Sequence, residues 1–195
     1  MPRYRVPTPI LAMAVAAVLT AGAPAWPQAT TQPAAARPGS DAGALDLETY
    51  VQAIATADMF AIESAGLVAA RSQEPTVRAF ATTLITDYTR LQARLHEVLA
   101  EGGHDALLPS RLDAPHMQML ERLEQTGGAD FDRLFAQAQV AALQEARRMH
   151  EAYYTTGNDQ DLVAFAGAAL KVVRRHEEML KKGISPLDSA TGQAL

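Results

Sequence analysis

From Asp46 onward the apolar residues recur every third or fourth position, the period of a helix with one buried face, and no stretch alternates as a strand does. Four long helices follow. The first, "DLETYVQAIATADMFAIESAGLVAARSQ", takes Asp46 as N-cap and carries a stripe of Tyr50, Val51, Ile54, Ala61 and Val68. The second opens at "EPTVRAF", with Pro75 at the first helical position, where its missing N–H has no partner to lose. Its apolar face runs through Leu84, Tyr88, Leu91 and Leu95, and at "EGG" Gly102 can adopt the left-handed conformation that ends a helix. The third, "ADFDRLFAQAQVAALQEARRMHEAYYTTG", begins near Asp130 and stops at Gly157. The fourth, "NDQDLVAFAGAALKVVRRHEEMLKKG", is capped by Asn158 or Asp159. Acids sit in its first turn and lysines in its last, which suits the helix dipole at both ends.

The joints constrain how these rods pack. Helices one and two meet around Glu74, and three and four meet across "TGND", so each pair must lie antiparallel. The link from Gly102 to Gly128 is longer and holds a short amphipathic helix, "APHMQMLERLEQ". Each long helix spans roughly 38 Å at 1.5 Å per residue, a distance that a short helix with extended flanks can cover. The expected fold is therefore all-α: a ferritin-like four-helix bundle of two antiparallel hairpins and a long crossover with a short extra helix.

The ends add a compartment. Residues 1–25 read as a signal peptide: Arg3 and Arg5, an apolar run from Ile10 to about Ala23, and Ala23-Pro24-Ala25 as an A-x-A cleavage site. The run is shorter than the roughly 20 apolar residues of a membrane span, and no second such run is evident. Residues 26–44, rich in Pro and Ala, read as a disordered spacer; the bundle occupies 45–183, and 184–195 form a flexible tail. With no cysteine, the chain has neither a lipid-anchored cysteine nor a disulfide, so a periplasmic or secreted protein that is not a lipoprotein is expected. Cleavage leaves 15 basic against 22 acidic residues and a formal charge of −7, which argues against nucleic acid and anionic lipid as partners. No integral membrane domain is expected after cleavage. A protein partner or a homo-oligomer is compatible with the Ala-rich third and fourth helices.

"ADMFAIESAGLVAARSQEPTVRAFATTLITDYTRLQARL", "GGADFDRLFAQAQVAALQEARRMH" and "LVAFAGAALKVVRRHEEML", in this order, resemble the domain of unknown function 4142. That is a family of exported bacterial proteins with a ferritin-like helical bundle and no settled activity. The resemblance implies a polar core. Glu63 matches the acid of the first helix, Asp87 the acid of an Asp-His pair on the second, and His176 a histidine on the fourth. Tyr88 and Leu143 stand where the family pattern has histidines.

The residues themselves allow two uses of that core. Glu63 lies one turn from Met59, Phe60 and Leu67 and is expected to point partly inward; Asp87 flanks the stripe of the second helix, and an edge position beside Arg90 or Arg94 suits it. Glu145 falls on a stripe of Phe131, Phe135, Ala138, Ala142 and Met149, and His176 continues Leu162, Phe165, Ala169, Val172 and Val173. Glu63, Asp87, Glu145 and His176 could hold one divalent cation (iron, zinc or manganese); alternatively, His176 pairs with Glu63 or Asp87 and no metal is needed. The Glu-x-x-His pairs of a di-iron bundle are absent, because Asp87 precedes Arg90 and Val173 precedes His176 at that spacing. His96 and His150 read as solvated, His104 and His116 flank the crossover, and the methionines read as core filler. No phosphate loop, nucleophile elbow or HExxH motif occurs, so nothing requires an enzyme. The reading is an exported, non-catalytic bundle that binds a ligand or partner and has an envelope or stress-related role; the alternative is a metal-binding or redox protein.

Overall fold

A computed structural model describes residues 45–104 and 107–183. The expected signal peptide, spacer and tail all lie outside these residues. The chain forms α1 (Leu47–Arg71), α2 (Pro75–Gly102), α3 (Ala114–Glu124), α4 (Gly128–Thr156) and α5 (Gln160–Gly183). Among the described residues there is no strand.

The helix ends follow from local chemistry. The Asp46 carboxylate accepts from the backbone N–H of Thr49 at 3.0 Å and so starts α1, and Asp159 accepts from Leu162 at 2.9 Å and starts α5. Asp113 caps α3 in the same way, at 3.0 Å from the N–H of His116. At the end of α2 the left-handed residue is Gly103 (φ 72°), one position beyond the expected Gly102, which is still helical. A Cβ at Gly103 would meet nothing within 4 Å, so only the backbone conformation opposes a side chain there. Gly103→Ala is expected to cost about 1 kcal/mol in chemical denaturation.

Contacts between the helices fix the order around the bundle as α1, α2, α5, α4, each packed on the next. Leu45 at the start of α1 bonds Thr156 at the end of α4 (3.3 Å), and His104 just after α2 lies 4.0 Å from Asp159 before α5. At the opposite end, Arg71 of α1 donates to the carbonyl of Thr126, between α3 and α4 (3.2 Å). The link carrying α3 therefore returns along the bundle, giving the two hairpins and long crossover that the sequence predicts.

A single core runs through all five helices, with Phe60, Phe80, Phe131, Phe135, Leu84, Leu99 and Leu123 among its fully buried side chains. Each such side chain contributes about 1.5–3 kcal/mol through its removal from water. α3 lies over α1 and α4 and buries His116, Met119 and Leu123 against them. That cover explains why Ala55, Thr56, Ala57 and Asp58 on α1 are buried as well as its main stripe. By length and composition α1 could cross a membrane, contrary to the expectation of no second apolar run; in the fold it is packed against α2, α3 and α4.

Candidate functional site

Two polar clusters interrupt the apolar interior. The first joins α2 to α5. His176 is wholly buried and donates from Nε2 to Oδ2 of Asp87 at 2.9 Å, while Arg175 bonds the same carboxylate from the surface. The His176 ring lies 5.4 Å from Tyr88 and 6.0 Å from Phe80, centroid to centroid. Burial pushes the Asp87 carboxyl up, but the bonds from His176 and Arg175 outweigh this and hold it below the usual carboxylate range. For His176 burial wins over the Asp87 bond and lowers the imidazole's pKa, which favours the neutral ring. Its Nδ1 is buried with no hydrogen-bond partner among the described residues. Asp87→Ala would leave neither ring nitrogen bonded, an expected loss of about 1–2 kcal/mol measurable by urea unfolding.

The second cluster joins α1 to α4. The Tyr50 hydroxyl is 2.9 Å from Nδ1 of His150, and both residues are buried. Burial lowers the His150 pKa to about 4 and raises that of the Tyr50 phenol. Farther along the same pair of helices, Gln139 donates to Oγ of Ser64 at 2.9 Å. Asp58 on α1 is only 2% exposed, and burial holds its carboxyl well above the usual range. Its charge bears on both Tyr50 and Tyr88, adding to the effect of burial on each phenol.

The four residues expected to share a cation do not assemble. Asp87 and His176 meet, so the predicted pairing forms with Asp87 and not with Glu63. Glu63 is exposed, because it stands off the stripe of Ile54, Asp58, Ala61, Ala65 and Val68. Glu145 is half-buried, because the inner face of α4 runs Phe131, Phe135, Ala138, Ala142, Ala146, His150 and Tyr153. Among the described residues no group of three or more His, Cys, Asp or Glu is placed to hold a metal ion. Asp87 and His176 alone offer two protein ligands, where a structural zinc takes four.

Other expectations are corrected as well. The edge partner of Asp87 is Arg175, since Arg94 pairs with Glu97 on its own helix (2.9 Å) and Arg90 is exposed. His150 is buried, not solvated, whereas His96 is exposed as expected. Asp58 went unnoticed in the sequence, although it sits four residues after Ile54 and three before Ala61, squarely on the stripe.

Outside the core, α4 and α5 leave a groove of about 850 Å³. Val140, 43% exposed, is its exposed apolar side chain, and the buried Ala136, Leu143 and Leu180 lie along its floor. Charges of both signs edge it: Arg147 bonds Glu177 (3.1 Å) and Glu151 (3.2 Å), and Arg174 bonds Glu151 (3.3 Å). Arg133 and Lys181 also line it.

The described residues thus form a helical bundle with a packed interior, buried polar clusters and a surface groove. The family description "domain of unknown function (DUF4142)" matches residues 29–182, and the chain belongs to that family. The match begins upstream of α1 and includes most of the stretch read as spacer. No curated protein and no solved structure matches the chain.

Proposed function

We propose that this is an exported, non-catalytic envelope protein that binds a partner protein through the α4–α5 groove, the occupant being an amphipathic helix bearing charges of both signs. The observation that carries this reading is the groove, with an apolar lining that includes the 43% exposed Val140 and a mixed-charge edge. On α5 its lining runs from Arg174 to Lys181, seven residues or roughly 10 Å at 1.5 Å per residue, which accommodates about two turns of a guest helix between the two helices. The fold contains a precedent in α3, a mixed-charge amphipathic helix that covers the neighbouring edge of α4. Both signs of charge at the edge, with a negative mature chain, favour a protein helix over nucleic acid or anionic lipid. A second copy fits less well: a twofold axis through Val140 would set Arg133 of one chain against Arg147 of the other, each seven residues from it. Export rests on the basic, apolar and A-x-A pattern of residues 1–25.

A photo-crosslinking amino acid at position 140, introduced into the full chain in living cells, tests this. The expected result is a discrete adduct whose crosslinked peptide comes from one amphipathic helix of an envelope protein. Crosslinks to the same chain would replace the partner with a self-assembly, and failure to crosslink to any discrete peptide would overturn the reading.

A further inference from the structure

The Tyr50 cluster takes no part in the groove. Tyr50 is fully buried, its hydroxyl is bonded to His150, and the ring of Tyr153 stacks on it with centroids 4.0 Å apart and planes within 10° of parallel. The His150 ring lies edge-on to Tyr50 at 5.8 Å and against Phe165 at 6.1 Å, so the pair is walled off from water. The stacked ring of Tyr153 therefore lies directly against a phenol bonded to an imidazole.

We infer that Tyr50 is a redox-active tyrosine, which yields an electron by way of the stacked Tyr153 ring to a one-electron oxidant at the surface while its phenolic proton passes to Nδ1 of His150. A phenol that loses an electron becomes strongly acidic, so its oxidation is easier where a base already hydrogen-bonded to it can take the proton in the same step. Among the described residues, Tyr50 is the tyrosine whose hydroxyl is hydrogen-bonded to an imidazole. With the hydrogen of His150 on Nε2, Nδ1 accepts from the phenol, so the proton moves along a bond already made. The step balances. Tyr50 loses one electron and one proton and becomes a neutral phenoxyl radical, His150 becomes an imidazolium, and the oxidant, an oxygen-derived radical or an oxidised metal complex, is reduced by one electron. A one-electron reductant and return of the same proton restore the pair. Burial keeps the radical from coupling with another molecule.

Pulse radiolysis of the full chain with the azide radical as oxidant tests the inference, with the tyrosyl absorption and its EPR signal as readouts. The parent radical is expected to outlive that of Tyr50→Phe by at least about tenfold. The Phe variant keeps the stacked ring, and circular dichroism confirms that it folds. His150→Gln, which can accept the hydrogen bond but is a far weaker base, is expected to shorten the lifetime to a similar extent. A lifetime unchanged in Tyr50→Phe, or no persistent radical in the parent, would overturn the inference. An unchanged lifetime in His150→Gln would overturn the role of His150 as proton acceptor.

Discussion

Between pH 6.5 and pH 4 the His150→Gln variant is expected to lose about 3 kcal/mol less stability than the parent chain. Burial holds the imidazole of His150 neutral down to about pH 4, whereas in the unfolded chain it takes up a proton near pH 6.5. The unfolded state thus binds more protons across that window, so stability is intact above 6.5 and declines as the pH falls towards 4. His176 acts with the same sign, since burial lowers its pKa too. Asp87 enters only at lower pH, because its carboxyl is held below the usual range and its contribution fades as that carboxyl is protonated. Urea unfolding of the parent and variant at several pH values measures the difference. Parallel curves for the two proteins would show that the imidazole does not titrate as a buried group.

Asp58→Asn is expected to stabilise the protein by about 1–3 kcal/mol at neutral pH. A buried carboxyl with a raised pKa keeps its proton to higher pH in the fold than in the unfolded chain, which releases it above about pH 3.8. Here the folded state binds more protons, so the linkage runs opposite to that of His150: the contribution is complete below 3.8 and is lost as the pH rises. Asparagine keeps the shape and carries no charge to suppress. Its advantage should therefore vanish below pH 3.8, where both states of the parent hold the proton. In the parent the two buried groups oppose each other, and single substitutions separate them. A destabilised Asp58→Asn protein at neutral pH would mean that the carboxylate is ionised and held by bonds in the fold.

The fold was legible because helical periodicity, caps and joint lengths all point the same way. Asp46, Pro75 and Asp159 begin their helices as read, and the short joints force the hairpins. The polar core was half legible. His176 continues an unbroken stripe and is buried; Asp87 follows Leu84 by one turn and meets it. On α4 the stripe can be drawn through Glu145 and Met149 or, one residue later, through Ala146 and His150. The two paths differ by about 100° around the axis, and small alanines do not discriminate between them. Packing against Tyr50 and Phe165 decides for His150, and the contact with Tyr50 spans 100 positions of sequence. Glu63 illustrates the same limit: of its apolar neighbours one turn away, Phe60 is in the core, but Met59 and Leu67 are only half-buried. The groove left no sequence signal, since its lining comes from two helices more than 20 residues apart in sequence.

A chain without cysteine lets the central claim be tested by single-cysteine labelling. Position 140 in the groove and position 117 on α3 have similar exposure, at 43% and 41%. In purified Val140→Cys and Met117→Cys proteins a membrane-impermeant maleimide should label both at comparable rates. In intact cells position 117 should still react while position 140 is shielded by its occupant, slowing its reaction by about tenfold or more. Equal labelling of the two positions in cells would contradict an occupied groove, and no labelling of either would contradict export.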